Sequence, residues 1–117
     1  PFYESEAAIN QRQSFDAAAS KLGLDMDQRA SMLVLHVDPY LHWLETGHGL
    51  EISRRRLKNI TETLVLLEAA CRSDPKRARK WFYAPKLNIK SRIPAAVLRV
   101  GNVDEVRDQV EAMTGFT

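Results

Sequence analysis

The sequence predicts an all-α fold of six or seven short helices, and three observations predict it. Apolar residues recur every three or four positions, as in Leu57, Ile60, Leu64, Leu67 and Cys71, the spacing that gathers side chains on one helical face. Residues that start and stop helices punctuate the chain at short intervals: Asp25, Ser53 and Asp74-Pro75 as starts, Gly23, Gly47, Gly101 and Gly115 as stops. The only alternating stretch, Leu50 to Ser53, is too short to stand as a strand.

Taken in order, an Ala-rich helix runs from Glu4 to Leu22, with Ile9, Phe15, Ala19 and Leu22 near helical spacing and Gly23 as its stop. Asp25 caps a second helix through about Leu35. Val37-Asp38-Pro39 interrupts it, and Asp38 with Pro39 restarts a short helix that ends near Gly47. Ser53 caps the longest helix, which carries the Leu57 to Cys71 stripe. Asp74 and Pro75 suit the N-cap and first position of the next, because an Asp oxygen accepts a free backbone N–H and proline has none to waste. Pro85 and Pro94 forbid one long helix beyond it. Ile93 to Val100 suits a short helix opened by Pro94, and Asn102 with Glu105 approximates a capping box for a last helix striped by Val103, Val106, Val110 and Met113.

A chain of 117 residues is one domain's worth, long enough to bury roughly two-thirds of its unfolded surface. Within it, residues 1–52 form a helix-turn-helix-like region, and residues 53–117 the long helix followed by a smaller helical region. The single Cys71 excludes an intramolecular disulfide and a cysteine-based zinc site. No apolar run approaches the ~20 residues of a membrane span, so a soluble, cytoplasmic protein is expected. The net charge of +2 hides an asymmetry. Residues 1–53 carry three basic side chains (Arg12, Lys21, Arg29) against eight acidic ones, whereas residues 54–92 carry twelve basic against three acidic. An anionic partner would bind the middle third.

Asp25 to Thr46 reads as a helix-turn-helix, whose second helix would enter the major groove and read bases with Arg, Lys, Asn or Gln. That helix has none of these and carries Asp38 and Glu45, which repel phosphate. Arg54, Arg55, Arg56 and Lys58 are the residues left to touch a DNA backbone, although adjacent arginines at a helix start also suit a solvated edge. His36, His42 and His48 recur every six residues, which matches neither an i,i+4 metal pair nor a zinc finger, so no metal is expected. Nucleophile elbow, P-loop and dinucleotide-binding glycines are missing. Nothing in the chain argues for an enzyme or a cofactor.

The densest stretch runs from Asp74 to Gly101. It crowds Lys76, Arg77, Arg79, Lys80, Lys86, Lys90 and Arg92 around Trp81, Phe82 and Tyr83, between prolines that limit its freedom. Trp and Arg are the residues most enriched in interface hot spots, and a proline-fixed loop loses little entropy on binding. The aromatics would equally serve to close the core, and the two roles are compatible.

Trp81-Phe82-x-x-Pro85, then Asn88-Ile89, Arg92-x-Pro94, Leu98 and Gly101, with a valine-striped last helix, resembles the toxin-binding domain of the MbcA/ParS/Xre antitoxins. Upstream, Leu22-Gly23-Leu24 and Trp43 resemble the family's helix-turn-helix-like region, so the likeness runs from about Phe15 to Phe116. The chain departs from the family in carrying Lys86 after the first proline and Lys90-Ser91 where a Gly pair is common, which makes the loop stiffer and more basic. The resemblance implies an antitoxin of a type II toxin-antitoxin system that inhibits a RES-domain, NAD-degrading toxin by covering its active site, in a hetero-oligomer with it. It places Trp81, Phe82, Pro85, Asn88, Arg92, Pro94 and Phe116 nearest the toxin. Two other readings stay open. One is a small dimeric DNA-binding repressor, autoregulating a toxin-antitoxin operon at its operator. The other is a structural adaptor that pairs two copies through Leu57, Ile60, Leu64 and Leu67.

Overall fold

Four helices begin where a side chain takes up free backbone N–H groups. The computed structural model describes residues 5–72, 74–84, 93–99 and 103–113, the side chain of Met113 excepted, and within them every regular element is an α-helix. The elements are α1 (Glu6–Lys21), α2 (Met26–Met32), α3 (Val37–Thr46), α4 (Arg54–Ala70), α5 (Pro75–Phe82), α6 (Pro94–Arg99) and α7 (Val103–Met113). The all-α expectation holds.

The caps explain the boundaries. Ser5 Oγ accepts from the Ala8 amide to open α1, two residues after the Glu4 start expected. Asp25 and Gln28 form a reciprocal capping box at α2, with bonds of 2.8 and 3.0 Å. Ser53 Oγ accepts from the Arg56 amide at α4, and Asp74 accepts from Lys76 and Arg77 at α5, with Pro75 in the first turn. One start is corrected. The third helix begins at Val37 rather than Asp38, with His36 as an N-cap that makes no side-chain bond. Asp38 lies inside the first turn, where its negative charge complements the positive end of the helix dipole.

Two helix ends share one device. After α1, the Leu24 amide donates to the Ala19 carbonyl and the Gly23 amide to the Ser20 carbonyl, with Gly23 left-handed at φ +75°. After α2 the same pattern recurs with Leu35 to Ala30 and Val34 to Ser31, but a valine holds the left-handed position at φ +59°. That second turn is why α2 stops at Met32 and not near Leu35, as the periodicity suggests.

The helices enclose one core. Phe15, Leu22, Tyr40, Trp43, Leu57, Ile60, Leu64, Leu67, Phe82, Leu98, Val106 and Val110 all belong to it. The long α4 packs against α1 on one side and α7 on another, while α6 touches α2, α5 and α7. Phe15 meets the rings of Tyr40 and Trp43 edge-on, at centroid distances of 6.3 and 6.4 Å. Leu57, Ile60, Leu64 and Leu67, the stripe that would pair two copies, are at most 4% exposed within a single chain and form part of its own core.

Two arginines tie the N-terminal helices together. Arg12, buried on α1, donates from Nε to the Leu44 carbonyl near the end of α3, where a cation suits the negative end of the helix dipole. Arg29 donates to the Leu24 carbonyl at 2.8 Å and to Asp16, whose Oδ1 also accepts a 2.7 Å bond from the Tyr40 hydroxyl. Burial first, and the Asp16 carboxylate second, push the Tyr40 phenol far above its usual range.

Candidate functional site

The site begins at α5, whose eight residues sort sharply by face. Ala78 and Phe82, one turn apart, point into the core, while Lys76, Arg77 and Lys80 are exposed. Arg79 lies between the two faces and donates to the Leu22 carbonyl at 3.2 Å, latching α5 onto the end of α1. The latch needs Gly23. A Cβ there would collide with the Arg79 guanidinium and come within 3.5 Å of Pro75.

At the end of α5 the ring of Tyr83 stands edge-on to Phe82, with centroids 5.3 Å apart, and remains 37% exposed. Burial, with Asp25 as a lesser contributor, raises its phenol pKa. Tyr83 and Ile93 then line a groove of about 180 Å³ together with Gln28, Ser31 and Met32 of α2 and Ala95, Ala96 and Arg99 of α6. A second depression, of about 280 Å³, shares Ser31 and Arg99 and extends along Asp27, Val34, Leu35, His36 and Val37. Val34 is 60% exposed at its rim.

The residues expected nearest a toxin divide by depth. Phe82, 1% exposed, and Pro94 are buried, so both support the surface from below and neither lies on it. Trp81 is half-buried and packs against the core. Pro85, Asn88, Arg92 and Phe116 lie outside the described residues. The exposed apolar groups at this end are Tyr83 and Ile93, which the resemblance did not single out. The signal for the inward ring was present, since Ala78 and Phe82 stand four residues apart on a helix whose other positions are mostly charged.

The four cations expected at DNA are all exposed. Arg54 donates to Ser5 Oγ at 3.0 Å, Arg56 donates to the Arg99 carbonyl at 3.1 Å, and Lys58 lies 3.9 Å from Glu62. Arg55 lines a cleft of about 330 Å³ that also contains Asp104 and Glu105. In the second helix of the helix-turn-helix-like unit, Tyr40 and Trp43 are buried, and the recognition positions remain without Arg or Lys.

Cys71 is buried, and that burial raises its thiol pKa against the smaller opposing effect of Arg77. Among the described residues no three of His, Cys, Asp or Glu converge as a metal site would require. No helix among them is long and apolar enough to cross a membrane.

No protein-family model matches the sequence, and no curated protein matches it. Among solved structures, a chain of the M.tuberculosis MbcT-MbcA toxin-antitoxin complex has a similar fold, with a TM-score of 0.72 over 97% of this chain and 99% of that one, at 18% sequence identity. The likeness spans nearly the whole of both chains and is one of fold.

Proposed function

We propose that this protein is the antitoxin of a type II toxin-antitoxin system, acting in the cytoplasm as a non-enzymatic inhibitor of a RES-domain toxin that degrades NAD. The observation that carries the reading is the near-complete fold match to a chain of a toxin-antitoxin complex, reached from a sequence that resembles the same family through different evidence. Inhibition would proceed by occlusion. The end of the molecule formed by α5, Tyr83, Ile93 and α6 would seat on the toxin beside its active-site entrance, with Trp81 held on the core behind it. Pro85, Asn88, Arg92 and Phe116 would complete the contact. Phe82 and Pro94 would hold the contacting residues in place from within.

Co-expression with the product of the adjacent reading frame, co-purification, and an NAD-consumption assay test this reading. The expected result is a stable complex in which NAD loss stops. A chain that purifies alone and leaves NAD loss unchanged refutes it.

A second reading, a repressor of its own operon, is favoured by one observation: α2, a tight turn and α3 form a helix-turn-helix-like unit followed directly by the exposed Arg54, Arg55, Arg56 and Lys58. The acidic α3 argues against base reading, so operator binding would draw on phosphate contacts and be steeply salt-dependent.

A further inference from the structure

We propose that the outward face of α5, made of Lys76, Arg77 and Lys80 with Arg72 of the preceding turn, is a docking surface for an acidic patch on the partner protein. The inference rests on the antitoxin reading and adds the chemistry of the surface that the toxin presents.

All four side chains are exposed, and none is neutralised among the described residues. The ion pairs found there join Arg29 to Asp16, Lys58 to Glu62, and Arg107 to Glu62 and Glu111. Between Glu68 and Asp104 the sequence contains one acid, Asp74, and its carboxylate is committed to the Lys76 and Arg77 amides. Among the described residues, the charge on this face is therefore left unbalanced.

Local stability does not explain the arrangement. Lys76 and Arg77 occupy the first turn of α5, at the positive end of its dipole, where acids would be favoured and none is present. Lys76 and Lys80 are one turn apart and repel each other. Cations kept only for solubility would do the same work at the other end of the helix without opposing it. Elements that break such local rules are where function is expected to reside.

The face is also held ready. Asp74 caps the helix, Ala78 and Phe82 anchor it in the core, and the Arg79 bond to Leu22 fixes its position, so little ordering entropy remains to be lost on binding. A protein surface suits it better than nucleic acid because Tyr83 and Ile93, each 37% exposed, open the apolar groove at the end of the same helix. A phosphate backbone would leave those groups unmatched, whereas an acidic rim around an apolar patch matches both.

The test measures association of the RES-domain product of the adjacent reading frame with the wild-type chain and with the Lys76→Gln, Arg77→Gln, Lys80→Gln triple variant, from low to high salt. Steering by a face of this charge predicts an association rate about tenfold lower for the variant at low salt, and a flatter salt dependence. The thermal midpoint should hold or rise, because the misplaced cations are gone. Unchanged rates and salt dependence in the variant overturn this inference while leaving the antitoxin reading intact. If the wild-type chain does not bind the RES-domain protein at all, both fall. A random-sequence DNA duplex is the remaining arm: salt-steep binding that the triple variant loses would assign the face to nucleic acid and overturn the proposal.

Discussion

Gly23→Ala is expected to cost far more than a surface glycine usually does, because two effects meet at one atom. The first is backbone conformation. At φ +75° an alanine suffers a left-handed penalty of about 1–2 kcal/mol. Reduced freedom of the unfolded chain returns about 0.4–1 kcal/mol of that. The second effect is the latch. The added Cβ occupies the place of the Arg79 guanidinium, so the bond to the Leu22 carbonyl must break, and a charge-assisted bond contributes about 1.5–3 kcal/mol. Arg79 is only half-buried, so the lower end of that range applies. The net loss is about 2 kcal/mol, which for a domain of this length lowers the thermal midpoint by roughly 6–12 °C. A double-mutant cycle with Arg79→Met separates the effects. In that background the collision is gone, and Gly23→Ala should cost only its conformational strain, about 0.5–1 kcal/mol, leaving a coupling of about 1 kcal/mol. Urea denaturation of the four proteins measures it. Equal costs for Gly23→Ala in both backgrounds would refute the latch.

Val34 and Tyr40 provide two further tests. Val34→Gly should stabilise the protein by about 0.5–1 kcal/mol, since a β-branched residue at φ +59° is strained and its largely exposed side chain gives up little burial; a lower urea midpoint would count against this. Tyr40→Phe removes the hydroxyl that Asp16 accepts and should cost about 2 kcal/mol at neutral pH. The folded-state pKa of Tyr40 lies above its unfolded value, so the stability that its hydroxyl supplies is complete below about pH 10 and declines above it, as the unfolded phenol ionises while the folded one stays protonated. The gap between wild type and Tyr40→Phe should therefore narrow in urea titrations taken above pH 10, and a constant gap would contradict the assignment.

Much of the fold was legible because it rests on short-range rules. Asp25, Ser53 and Asp74-Pro75 act as starts through bonds confined to the next three residues, and Gly23 ends α1 by a backbone conformation that other residues resist. Other features depend on longer range. Nothing local marks Val34 as the residue that ends α2, because valine is among the last expected in a left-handed turn. Nor does a stripe of Leu57, Ile60, Leu64 and Leu67 say whether it faces its own chain or a second copy. The packing of α1 and α7 onto α4 buries all four within one chain.

The candidate site shows the same divide. Composition marked residues 74–101 as basic and aromatic, but composition does not say which aromatic faces outward. Helical phase does: with Ala78 turned inward, Phe82 must follow it four residues later, Lys76 and Lys80 must lie opposite, and Tyr83 emerges at the helix end. The charge on Arg79 would have placed it with the other cations, yet it alone turns back to the Leu22 carbonyl, 57 residues away in sequence. One helix thus ties itself to the end of α1 through Arg79 and to the core through Phe82, while its lysines remain unpaired among the described residues. The Leu22-Gly23-Leu24 motif consequently has a physical reason that lies outside the helix-turn-helix-like unit: Gly23 is small because α5 must close over it. A partner that grips the exposed face of α5 would pull on the same latch, so loss of the Arg79 bond should weaken partner binding as well as folding.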